Sequence, residues 1–192
     1  MRNYASGAAL ALLLMATLPA LAQNQPAARP APMTLSTTAF ADGTKIPDRF
    51  TQAGESVSPA LSWSNVPDGT KSFVLHMHDL DVARNKGTED QLHWLVWNIP
   101  ATATGLPEGE PTGSPLADGS QQASASGPQY RGPGAPANGP LHHYMLELYA
   151  LDTTLDVNPG ADGFAARKAV FDALQGHVLG KAVYGGLFRK PQ

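Results

Sequence analysis

LHWLVWNI, Leu92 to Ile99, is apolar on both faces apart from His93 and Asn98. A short run of that kind reads as a strand covered on both sides, usually central in its sheet. Alternation places His93, Leu95, Trp97 and Ile99 on one face, so a histidine begins an otherwise apolar row. Upstream, KSFVLHMHD (Lys71–Asp79) alternates more cleanly. Phe73, Leu75, Met77 and Asp79 share one face, and Val74, His76 and His78 the other. Downstream, HHYMLELYAL (His142–Leu151) puts His142, Tyr144, Leu146 and Leu148 on one face.

Further out, Lys181–Phe188 reads as a strand interrupted at Gly185-Gly186 by a bend or a close backbone approach, and Ala60–Trp63 as a shorter one. One stretch is helical. In Gly163–Gln175, Phe164, Phe171 and Leu174 fall on one stripe, Asp162 is placed to cap the start, and Gly176 to end it. The chain of 192 residues carries 19 Gly and 17 Pro, which punctuate short apolar runs without an internal repeat. That spacing predicts an all-β domain with long loops.

The first residues have another character. Arg2, an apolar stretch over Ala8–Leu18 and the small residues around Ala20–Ala22 form a secretory leader pattern, with cleavage expected after Ala22. The apolar stretch is too short to span a membrane. The expected organisation is a leader over 1–22, a Pro/Ala-rich linker over 23–34 and one domain over 35–192, exported to the periplasm or medium. With no cysteine, thiol nucleophiles, thiolate metal sites and disulfides are excluded. The formal charge of −3 and the lack of a Lys/Arg run argue against nucleic acid as a partner.

Each of the three clear strands carries polar residues at one end of an apolar face. These are Asp79, His93, and the pair His142 and Tyr144. If the strands are neighbours with aligned ends, the four groups converge at the rim of the core, as in a small ligand site. The Gly/Pro-rich loop from Gly127 to Pro140 enters at the same rim and would wall it.

Those residues also carry a resemblance. Asp79-Leu80-Asp81-Val82-Ala83 resembles the D-P-D-A-P motif of the phosphatidylethanolamine-binding protein family, whose bacterial branch is called Raf-kinase-inhibitor-like. Ser58-Pro59-Ala60-Leu61-Ser62-Trp63 and Val66–Phe73 are similar to its opening. His93–Pro100 resembles its H-W-[LV]-[VL]-x-N-I-P block. Tyr130–Pro133, Pro136 and His142-His143-Tyr144 resemble its Gly/Pro loop and H-R-Y motif. The similarity runs from about Ile46 to Phe188. Both prolines of D-P-D-A-P are missing here, and His143 stands where the family has Arg.

The resemblance implies a mainly β fold, an antiparallel β-sandwich with a few peripheral helices. It also implies a pocket for phosphate-like groups lined by Asp79, His93, Pro136, His142 and Tyr144, with Asp81 supporting. Imidazole N–H groups, the tyrosine O–H and loop amides would be the donors, and Asp79 would orient a histidine. The expected function is an exported protein that binds a small anionic ligand, phosphate or a phospholipid head group, with no cofactor, metal or catalytic residue assigned.

Two alternatives stay open. One is a hydrolase using Asp79 with His93 or His142, with a metal at His76 and His78. The other is an interaction or inhibitor module with a vestigial pocket. His76-Met77-His78 has metal-ligand spacing but needs a third ligand that the spacing does not supply. The segment Ala101–Gly127 shows no pattern. It is free to order against a second subunit, so a homodimer stays open.

Overall fold

The structure, a computed structural model, describes residues 31–192. The leader and residues 23–30 of the linker lie outside the described residues. Nine strands and one α-helix follow in order: β1 (Thr34–Ser36), β2 (Thr44–Lys45), β3 (Leu61–Ser64), β4 (Ser72–Asp79), β5 (Gln91–Pro100), β6 (Gly105–Leu106), β7 (Gln121–Ala123), β8 (His142–Leu151), α1 (Gly163–Ala173) and β9 (Val178–Phe188). Single 3-10 turns lie at Asp48–Phe50 and Arg84–Lys86.

The strands form a β-sandwich. A large sheet has the order β2-β9-β8-β4-β5-β7, and a small one the order β1-β3-β6. All pairs are antiparallel except β2 with β9, which is parallel. The main core lies between the sheets. Leu35, Leu61, Trp63 and Leu106 of the small sheet meet Phe73, Leu75, Met77, Trp94, Leu146 and Leu148 of the large one. Trp63 and Phe73 touch across the layers with ring centroids 5.3 Å apart. Each such side chain contributes about 1.5–3 kcal/mol by leaving water. A second core, on the opposite face of the large sheet, is closed by α1.

The two cores explain why β5 is apolar throughout. Trp94, Val96 and Ile99 enter the main core, while Leu92, Leu95 and Trp97 enter the second. The strand is covered on both faces, as expected, but stands second from the edge rather than at the centre. Its face-mates also differ from simple alternation. Met77 pairs with Trp94 and His78 with Leu92, so His93 is an extra residue in a β-bulge. A second irregularity falls at Asn98, which has φ 57°. The bulge separates His93 from Leu95 and Trp97 and leaves it on the main-core side with Trp94. On β4 and β8 alternation holds: Phe73, Leu75 and Met77, like Tyr144, Leu146 and Leu148, face the main core.

Helix α1 begins as expected, with the Asp162 carboxylate accepting from the Phe164 N–H at 2.9 Å. Its buried line is Gly163, Ala166 and Val170, continued by Leu174, rather than the expected Phe164–Phe171 stripe. Small residues let the helix lie close to the sheet. A Cβ on Gly163 would stand 2.1 Å from the Ser124 carbonyl oxygen. The two phenylalanines are half-buried and flank the contact. Asp162→Ala removes the cap and should lower stability by about 1 kcal/mol. A urea midpoint equal to that of the parent protein would refute the cap.

The segment over 101–127 is ordered against its own chain. It supplies β6 to the small sheet and β7 to the large one. Gln122 is fully buried between them. Its side-chain oxygen accepts from the Trp94 indole N–H at 2.9 Å, and its amide nitrogen donates to the Pro111 and Gly113 carbonyls at 2.6 and 2.7 Å. Met33, ahead of β1, is buried in the main core.

Candidate functional site

Strands β4, β5 and β8 lie side by side, and Asp79 pairs directly with Tyr144 and with Gln91. This register aligns the polar strand ends as the sequence suggested. A cavity of about 190 Å3 opens there, lined by Gln52, Val82, Gln91, His93, Arg131, Gly134, Ala135, Pro136, His142 and Tyr144. Four of the six expected residues thus line it: His93, Pro136, His142 and Tyr144. Asp79 and Asp81 do not. They form the frame behind it.

Asp79 is buried, at 2% exposure, and its Oδ2 accepts from His142 Nδ1 at 2.8 Å. That bond fixes the imidazole plane. The other Asp79 oxygen accepts from the Asp81 N–H at 3.0 Å. Asp81 Oδ2 in turn accepts from the His143 backbone N–H at 2.6 Å and ring Nδ1 at 3.0 Å. Where the family motif has prolines, carboxylate-to-amide bonds hold this turn. His143 is exposed and points away from the cavity, as alternation requires.

His93 Nδ1 donates to the Arg131 carbonyl at 2.8 Å, and the Arg131 N–H returns to the His93 carbonyl at 3.0 Å. Burial is the largest influence on the imidazole and holds its pKa below the usual histidine value, despite the Arg131 carbonyl bond. With Nδ1 carrying the proton, the neutral ring offers Nε2 as an acceptor. His93 is therefore not the simple N–H donor expected.

Tyr144 is likewise committed. Its hydroxyl oxygen accepts from the Gly134 and Ala135 N–H groups at 3.2 and 3.1 Å. Burial, then the charge of Asp79, pushes its pKa up, so the hydroxyl stays protonated. Those two amides hold the loop to β8 instead of facing a ligand. The loop is also tied elsewhere. The Gln52 N–H donates to the Pro133 carbonyl at 2.9 Å and its side-chain amide to the Gly132 carbonyl at 2.7 Å. The Lys190 N–H donates to the Ala135 carbonyl at 3.0 Å. The result is a wall preassembled around the cavity.

The residue that sequence reasoning missed is Arg131. It lines the cavity, its charge acts on His93, and it has no carboxylate partner among the described residues. The Tyr130-Arg131-Gly132-Pro133 motif contained it, but nothing in its spacing marks the side chain as cavity-facing. Asp79, Asp81 and His142 also group closely enough to hold a cation. Their facing atoms are already bonded to one another and to backbone N–H groups, which suits a structural frame.

A model of the phosphatidylethanolamine-binding protein family matches residues 36–189. The chain belongs to this family. A UPF0098 protein of Methanothermobacter thermautotrophicus is 44% identical over 160 residues, covering 82% of this chain and 99% of the relative. The UPF0098 protein YbhB of Escherichia coli is 36% identical over 139 residues, covering 68% and 86%. The crystal structure of Escherichia coli YbcL, described as a member of the mammalian PEBP family, superposes with a TM-score of 0.72 at 28% identity. That match covers 83% of this chain and 99% of YbcL. The β-sandwich and the family's Gly/Pro-loop and H-R-Y region, here ending in His142-His143-Tyr144, are thus present together. No helix among the described residues is long and apolar enough to cross a membrane.

Proposed function

We propose that the protein is an exported binding protein whose cavity takes a small anion, phosphate or a phosphorylated head group. The observation that carries this reading is Arg131, a cation that lines the cavity with His93 and His142 on a preassembled wall and has no carboxylate partner among the described residues. A permanent charge and a hydrogen-bonding imidazole at a narrow cavity suit a phosphate-sized group. At about 190 Å3 the cavity is smaller than a drug-sized ligand needs, so only a head group or inorganic ion enters it. Neutral His93 can accept from a protonated oxygen or an ammonium on the same ligand. The leader pattern over residues 1–22 supports export.

The Asp79–His142 pair has the geometry of an oriented general base. The lining contains no Ser, Thr or Cys, and the Tyr144 hydroxyl is engaged by the loop. That favours binding over covalent catalysis.

Isothermal titration with phosphate, phosphoethanolamine and sulfate tests the reading. All three should bind, and Arg131→Ala should weaken each at least about tenfold, the size of a lost charged hydrogen bond. No heat and no thermal shift with any anion would overturn the assignment, as would equal binding by Arg131→Ala.

A further inference from the structure

We propose that His76, His78 and Asp90 bind a divalent cation of the zinc type on the face of the large sheet opposite the anion cavity. Strand β4 directs both histidines to the side covered by α1. Their rings stack with centroids 4.2 Å apart, and Phe171 closes edge-on over His76 at 5.0 Å. His76 is 4% exposed and His78 8%. Among the described residues neither ring nitrogen of His76 has a hydrogen-bond partner, nor does His78 Nε2, while His78 Nδ1 is hydrogen-bonded to Asp90 Oδ2, a contact that an entering ion would replace. Three buried imidazole nitrogens without partners are unfavourable unless something else engages them.

The third ligand missing from the sequence pattern is supplied by the fold. One donor atom from each of His76, His78 and Asp90 lies within 4.8 Å of the other two. Glu147 adds a further oxygen, with Oε2 3.6 Å from both His76 Nδ1 and His78 Nε2. Tetrahedral zinc with bonds of 2.0–2.2 Å spaces its ligands by about 3.3 Å, so small side-chain rotations close the set. Burial, the largest influence, lowers the His76 pKa to about 4. The ring is therefore neutral, which is the form that binds metal.

The surroundings select the ion. Arg167 holds one Asp90 oxygen, and Lys181 holds Glu147 Oε1. Such outer contacts fix ligand carboxylates in place. The same two cations offset the carboxylate charge. Calcium and magnesium need a mostly oxygen cage, whereas two imidazoles with a carboxylate suit zinc, copper, nickel or cobalt. A cavity of about 350 Å3 beside the cluster gives an ion a way in and leaves room for a water ligand.

Cobalt(II) chloride is the probe. The purified protein is stripped with chelator, dialysed, and titrated while the visible spectrum is recorded. The expected result is a saturable ligand-field band at about one equivalent, displaced by zinc, together with a higher melting temperature. His78→Gln and Asp90→Asn should each weaken cobalt binding by about tenfold or more. Far-UV circular dichroism checks both, and half-buried Asp90 gives the variant expected to fold unchanged. No band and no thermal shift at millimolar cobalt would overturn the proposal. So would binding that survives Asp90→Asn and His78→Gln but is lost in His142→Asn, since the ion would then sit at the Asp79 cluster.

Discussion

Replacing Gln122 with Leu should lower stability by about 3 kcal/mol, because it strands the Trp94 indole N–H in a dry core and frees two loop carbonyls. Leucine nearly matches the volume, so little of the loss is a cavity effect. The chemistry predicts a partial rescue. Removing both partners of a buried hydrogen bond is far milder than removing one. Trp94→Phe added to Gln122→Leu should therefore cost less than the sum of the two single changes. Urea unfolding of the four proteins measures this coupling. A Gln122→Leu midpoint within about 0.5 kcal/mol of the parent would mean that water already serves the indole.

The second large effect is acid lability. In chelator, so that no cation intervenes, the protein should lose about 3 kcal/mol as pH falls from 6.5 to about 4. The sign follows from His76. The unfolded chain takes up a proton near the ordinary value of 6.5, while burial delays uptake in the folded chain to about 4. Between these values the unfolded state binds more protons, so acid favours it. Buried His93, whose pKa is also depressed, contributes with the same sign. Urea midpoints at pH 7, 5.5 and 4.5 should fall steadily, and His76→Phe should flatten the decline. A parent profile flat over this range would contradict the burial argument.

Much of this architecture was legible because β4 and β8 are regular. Their alternation put Asp79, His142 and Tyr144 on the core side, and the register aligned them. His93 reached the same rim by a route alternation could not reveal. Its bulge arises from pairing with β4, a long-range contact with no local mark in LHWLVWNI. The α1 stripe was misread because its sheet-facing side is built from Gly163 and Ala166, which carry little hydrophobic signal. The role of residues 101–127 was hidden for a related reason. Their strands are two and three residues long, and their anchor is a single buried glutamine. Arg131 stands inside the Tyr130–Pro133 motif, but the position of its backbone at the rim depends on the paired bonds it makes with His93.

Strand β4 carries two unlike chemistries on its two sides, with Asp79 toward one cavity and His76 and His78 toward the other. Side chains alternate with period two, so a one-residue slip exchanges the faces completely. For the evolution of the gene, this makes β4 far less tolerant of an inserted or deleted codon than of a conservative substitution. A single added codon would move both histidines into the sandwich and carry Asp79 away from His142. Length variation should accumulate instead at the exposed tip of the loop between β4 and β5, around Asn85–Gly87, away from Asp81 and Asp90 at its two ends.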